Sequence, residues 1–439
     1  MAKWACKIKA RSVVQCCFVM FWGASTYLRG QGSPSIDPAK AAAAFSEAQQ
    51  VSAKDNGRLW GRPLYGAMLF VEPATRAVVA NEPDASGTLH QQGSVYVGVL
   101  PKDVPVANTA VDWAGKRWTM VMWPLPDGSQ PRERLLAHES FHRFQLEMDV
   151  PAANPDNSQL DTFEGRMWLQ LEWRALAVAL SEKDAAQTQA IRDAEAFAAH
   201  RHELFLGSAE RERALMLNEG LAEYTGVAAS APDTASGRWR IIIRLTNPDA
   251  TTFVRSFAYA SGPAYGSLLD ERRPDWRSQI RATSDLTALL GSTVSSSSAV
   301  PVDQRALVYG GAALRITETE RDVRAQAERA RYRKLLVDGP TLTLPDAGKF
   351  NYGFDPNEVV PLEGFGTVYP TTQVSDEWGT LKVEEGGALM APDWHSVRVA
   401  APANIGGSQV TGPGWTLDLA AGWRIVPAAK AGSFTLQKQ

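Results

Sequence analysis

An α+β chain followed by a β-rich C-terminal module is the fold class the sequence predicts, and three patterns predict it. Short runs of β-branched and aromatic residues, separated by turn residues, fill the stretch before Pro124. Helical spacing of apolar residues dominates from Arg132 to Leu336, as in Met167, Trp168, Leu171, Ala175 and Val178. Glycine, proline and alternating runs take over from Thr341. The implied organisation is a leader at 1–30, a mixed domain at 31–336 and a β-rich module at 340–439.

Lys3, Lys7, Lys9 and Arg11 open the chain, and residues 13–24 are apolar apart from Gln15. The run ends in Gly23, Ala24 and Ser25, the pattern of a secretory signal cleaved between Ser25 and Gly32. It is shorter than the about 20 residues that span a bilayer comfortably, although an uncleaved anchor is an alternative. All three cysteines (Cys6, Cys16, Cys17) lie inside it, so the expected mature chain has no disulfides. These features imply a secreted or periplasmic protein.

Residues 38–53 are alanine-rich and predict a helix. Runs at 66–72, 76–80, 94–100 and 118–123 predict a small antiparallel sheet. Helices follow at 132–148, 159–180, 184–206 and 211–229. Short polar stretches alternate with helical runs at 230–293, a four-serine loop lies at 295–298, and 302–336 reads as one long helix stopped by Gly339-Pro340. Runs such as 379–383 and 415–419 predict strands of the tail. Net charge is −3 with mixed signs and no basic stripe, which excludes a nucleic-acid reader of the usual kind.

The most informative stretch is His138-Glu139-Ser140-Phe141-His142. On a helix, residues four apart share a face, so both imidazoles can point at one ion while Glu139 reaches a water beside it. The chain has only six histidines, so the spacing is informative. Downstream, Asn218-Glu219-Gly220-Leu221-Ala222-Glu223-Tyr224 places two acids four apart.

Together, H-E-x-x-H and N-E-G-x-A resemble the motifs of gluzincin metallopeptidases. The resemblance implies a zincin-like domain, a small antiparallel sheet plus a helical bundle carrying a Zn2+ site. It implies that His138, His142 and Glu219 are metal ligands, that Glu139 is the general base, and that Glu223 orients a ligand histidine. The alternative, with Glu223 as ligand and Glu219 behind it, stays open. Glu219 follows His142 by 77 positions, longer than in the best-known families, so no single family is assigned. The resemblance also implies an edge strand before the motif helix, here 118–123, that pairs with an extended substrate; an ordinary buried hairpin strand is the alternative.

An oxyanion formed beside the metal needs a donor. Tyr259 and Tyr265, read as flanking a turn at Gly262-Pro263, are the candidates. His200 and His202 are two apart and face different sides of a helix. The expected partner is a peptide or protein substrate, with no nucleic acid and no membrane beyond an N-terminal anchor. Two other functions compete with an exported zinc peptidase. One is a non-catalytic protein binding peptide or glycan, for which Trp378, Trp394, Trp415 and Trp423 of the tail are candidate lining. The other is a zinc hydrolase of a non-peptide substrate.

Overall fold

A computed structural model gives the structure of residues 36–248, 251–295, 300–354 and 359–439. The leader and most of the four-serine loop lie outside the described residues. The chain is mixed, with a helical region followed by a β-rich C-terminal region. It divides into two compact units. The first holds described residues up to Ala152 together with Thr225–Ala231, and the second holds Ala153–Tyr224 and Pro232–Gln439.

The first unit begins with helix α1 (Pro38–Asp55), started by Asp37, whose carboxylate accepts from the Ala39 N–H at 2.9 Å. Six strands follow: β1 (Met68–Val71), β2 (Ala77–Ala80), β3 (His90–Gln92), β4 (Val95–Val99), β5 (Thr109–Trp113) and β6 (Lys116–Met122). They form one sheet in the order β3-β4-β2-β1-β6-β5. Helix α2 (Ser129–Phe144) closes the unit's main run. One sheet face, with Met68, Phe70, Val79 and Val121, packs on Phe45 of α1 and Leu136 of α2, and Phe45 stacks on Phe70 at 4.4 Å. The other face packs Leu69, Val78 and Met120 against Trp113 and Trp118.

The sheet is mixed rather than antiparallel, because β1 and β6 pair in parallel, Met68 opposite Thr119. Alternation in sequence carries no strand direction, and β1 is buried on both faces as parallel strands usually are. Nor is the strand before the motif helix an edge. Ala114 and Gly115 both have positive φ (48° and 77°), the geometry of a tight two-residue hairpin, and they fold β5 back onto β6. β6 is therefore a buried hairpin strand, and β5 is the edge.

In the second unit, α3 (Phe163–Ser181) and α4 (Asp184–Leu204) form a helical hairpin with Trp168 against Phe197. Next, α5 (Ser208–Leu215) passes through a wider turn at Met216–Gly220 into α6 (Leu221–Ser230), so one continuous helical stretch contains the unit boundary after Tyr224. Helices α7 (Thr234–Thr246), α8 (Ser256–Arg272) and α9 (Leu286–Gly291) follow. The expected single helix at 302–336 is broken into α10 (Val302–Val308) and α11 (Gly311–Arg333), because Gly310 takes φ +71°. The expected turn at Gly262-Pro263 is instead the middle of α8.

The tail comprises β7 (Thr341–Pro345), β8 (Asn351–Phe354), β9 (Val360–Leu362), β10 (Gly366–Tyr369), β11 (Thr372–Asp376), β12 (Gly379–Val383), β13 (Ala388–Met390), β14 (Ser396–Ala400), β15 (Gln409–Gly412), β16 (Trp415–Leu419), β17 (Trp423–Pro427) and β18 (Phe434–Lys438). A seven-stranded sheet (β17-β18-β7-β14-β13-β10-β9) and a five-stranded one (β15-β16-β12-β11-β8) share a single core of Leu342, Val374, Trp378, Val397, Trp415 and Leu417. Trp378 and Trp415 are thus core residues, not ligand lining.

A buried ionic group ties α3, α4, α5 and α8 together. Arg201 faces Glu172 at 2.7 Å and donates to Glu212 at 2.7 Å, while the Tyr265 hydroxyl donates to Glu172 at 2.8 Å. Burial alone would raise the Glu212 pKa, but Arg201 and the bond to His202 outweigh it and hold it at about 2, against an ordinary 4.5. Because the folded value lies below the unfolded one, this stabilisation is complete above pH 4.5 and is lost as pH falls toward 2. Arg201→Met leaves two buried carboxylates facing each other and is expected to cost about 3–5 kcal/mol at neutral pH. Urea denaturation at several pH values checks this, and the deficit relative to wild type should shrink on acidification as the carboxyls take up protons.

Candidate metal centre

Helix α2 carries the H-E-x-x-H stretch, and Leu136 to His142 are all buried on it. Ser140 does not break the helix, because its hydroxyl donates back to the Leu136 carbonyl at 2.7 Å. The Nε2 atoms of His138 and His142 face each other at 3.3 Å, with ring planes 69° apart. The Nδ1 of His142 lies 2.5 Å from the Gln145 amide oxygen. With that oxygen as acceptor, a neutral His142 would carry its proton on Nδ1 and offer Nε2 as the ligand atom. The Glu139 carboxylate lies 4.0 Å from His138 Nε2 and is buried.

The end of the second motif helix packs on α2 within the first unit. A Cβ on Gly226 would lie 2.7 Å from the Arg134 carbonyl oxygen and 3.4 Å from the His138 Cβ. Only a glycine permits that approach. Thr225, fully buried, accepts from the Trp60 indole at 2.9 Å, and Trp60 in turn packs on Phe141.

Glu219 sits earlier on the same helical stretch, in the wider turn at Met216–Gly220. Such turns push one side chain out of the regular helical series and recur at functional sites. Its carboxylate accepts from Asn218 at 3.1 Å, from Arg255 at 3.0 Å and from the Tyr259 hydroxyl. These donors are brought in by a glycine crossing. A Cβ on Gly262 would meet Gly220 backbone atoms at 2.3–2.5 Å, so α8 lies directly on the turn and presents Tyr259 one helical turn before Gly262. Burial opposes the charge of Arg255, but Glu219 and Tyr259 outweigh it and its pKa is raised.

His138 and His142 belong to the first unit and Glu219 to the second. The imidazole pair fits zinc. Two zinc–nitrogen bonds of about 2.0–2.1 Å meeting at a tetrahedral angle separate their nitrogens by about 3.3–3.4 Å, and the observed imidazole separation is 3.3 Å. A carboxylate has about four acceptor positions, so three protein donors and a cation on Glu219 are compatible.

Glu223 is buried and accepts from Arg244 at 3.3 Å. Gln145 bonds the remote nitrogen of His142. Tyr265 is not placed with Glu219. Six positions after Tyr259, it faces another side of α8 and belongs to the Arg201 group. His202 also belongs there, bonded to Glu212, and His200 stands edge-on to Trp168. Sequence reading missed Gln145 and Arg255. The signals were the spacing of three from His142 to Gln145 and of four from Arg255 to Tyr259, which put each pair on one helical face.

Gly262→Ala forces a methyl group into the Gly220 backbone and is expected to destabilise the chain by about 1–3 kcal/mol, read as a lower denaturation midpoint. Gly266→Ala, against the Tyr224 ring at 2.3 Å, should behave in the same way. Comparison with family models, with curated proteins and with solved structures gives no match.

Proposed function

We propose that this chain is an exported zinc-dependent peptidase with a zincin-like metal site of the gluzincin kind. The observation that carries the reading is the pair of imidazole nitrogens 3.3 Å apart on α2, with the Gln145 amide oxygen at the remote nitrogen of His142. The N-E-G turn supports it, because the Glu219 carboxylate is held by three donors rather than pointing to solvent. The basic and apolar leader supports export, and no helix among the described residues is long and apolar enough to cross a membrane.

His138, His142 and Glu219 would hold the metal, with two neutral nitrogens and one negative oxygen. Zinc, when bound, supplies a Lewis acid that polarises a carbonyl and lowers the pKa of water toward about 7. Glu139, beside His138, takes the proton from the attacking water and returns it to the leaving amine. Gln145 keeps the His142 proton on Nδ1, so that Nε2 remains available as a ligand. Tyr259, whose hydroxyl already reaches Glu219, is the candidate donor to the developing oxyanion. The sheet has two edges, β3 and β5, and β5, which adjoins α2, is the one we assign to an extended peptide backbone.

Purified full chain refolded with zinc should contain about one zinc per molecule. Glu139→Gln should keep that zinc and lose roughly 100-fold or more of its turnover in a peptide-library digest. His142→Ala should lose both metal and activity. Between Glu219→Ala and Glu223→Ala, the former should release zinc more readily to a chelator. Gln145→Leu should weaken zinc binding by about 10–100-fold. A folded protein that takes up no zinc, or undiminished hydrolysis by Glu139→Gln, contradicts the proposal.

A further inference from the structure

At one edge of the C-terminal module the chain shows aromatic rings to solvent instead of burying them. Trp394, in the turn between β13 and β14, is 37% exposed and is absent from the core that takes Trp378 and Trp415. Its ring packs beside Tyr352 of β8 at 4.9 Å and near Tyr369 of β10 at 6.3 Å. Phe350 extends the row at 6.2 Å from Tyr352. Phe350 and Tyr352 are only partly buried, each resting on the core. The rings touch one another, so they form a platform rather than a cage around a gap.

The backbone is bent to hold this position. Trp394 has φ +63°, the left-handed region that bulky residues rarely adopt. Its N–H donates to Ala391 at 3.0 Å, and the Asp393 carboxylate accepts from the His395 N–H at 3.1 Å. Beside the rings lies a polar pair: the His395 imidazole is 3.3 Å from the Asp346 carboxylate, and the His395 carbonyl accepts from the Asp346 N–H at 2.9 Å. The Gly348 N–H and His395 hold the Asp346 carboxyl below its ordinary range, so it is an anionic acceptor at neutral pH.

We propose that Trp394, Tyr352 and Phe350 form a saccharide-binding platform, with Asp346 and His395 as hydrogen-bonding partners at its rim. A pyranose has one apolar C–H face and a girdle of hydroxyls, which matches an exposed aromatic surface, its rings tilted 37° and 51° to one another, bordered by an acceptor and an imidazole. The carboxylates of Asp346 and Asp393 repel a nucleic-acid backbone. Three rings fall far short of the about 800 Å² per partner of a standard protein interface. The closed packing of the rings leaves no room for a quaternary ammonium between them. The site lies wholly within the tail and does not depend on metal hydrolysis.

Affinity electrophoresis of the full chain in gels containing hydroxyethyl cellulose, xylan, glycol chitin or galactomannan tests the proposal. At least one polysaccharide should retard the protein. Trp394→Ala should weaken that binding about tenfold or more, as expected for a central aromatic anchor, without lowering the thermal midpoint. Trp394→Tyr should retain most of it. No retardation of wild type by any of the four overturns the proposal, as does equal retardation of Trp394→Ala. Saturable binding of choline, read by tryptophan fluorescence, with no polysaccharide binding overturns it in favour of a cation site.

Discussion

Two imidazole nitrogens that face each other at 3.3 Å inside a protein need a positive charge or a proton between them. Two lone pairs at that distance repel, and burial removes the water that would otherwise separate them. Gln145 bonds the far nitrogen of the His142 ring, which favours a neutral tautomer with its proton on that side. The helix supplies the spacing, since residues four apart rise together on one face. The local sequence supplies the burial, because Leu136, Phe141 and Phe144 seat α2 in the core of the first unit. The proposed zinc chemistry of this chain depends on that pair.

Each unit also depends on glycine. Gly226 lets the end of α6 approach α2 within the first unit, and Gly220 with Gly262 lets α8 lie on the N-E-G turn within the second. The glycine of N-E-G is therefore a packing requirement as much as a motif letter. It clears the space through which Tyr259 and Arg255 reach the carboxylate.

Much of the first unit's content was legible in the sequence, because its strands and helices carry strong periodicity. Helix α1 and the motif helix fall close to their expected spans, and α3 and α4 do as well. Strand direction was not legible. β1 and β6 are buried on both faces, and no local pattern distinguishes a parallel from an antiparallel partner. Pro263 misled for a different reason: a proline usually marks a turn, yet α8 is buried along most of its length and packing keeps it helical. Spacing alone put His138 and His142 on one helical face, whereas Glu219 was singled out by the N-E-G-x-A resemblance, since two acids four apart are ordinary on a surface helix. Tyr259 and Tyr265 could not be separated that way, because which face of α8 meets Glu219 is set by the Gly220–Gly262 crossing. Arg255 and Gln145 have no motif of their own; their roles follow from geometry.

X-ray absorption at the zinc edge of the metal-loaded full chain tests the central claim most directly. The account predicts a first shell of two imidazole nitrogens at about 2.0–2.1 Å with oxygen ligands completing four-coordination, and the loss of imidazole scattering in His138→Ala. A folded protein that retains no zinc, or a shell without paired imidazoles, would contradict it.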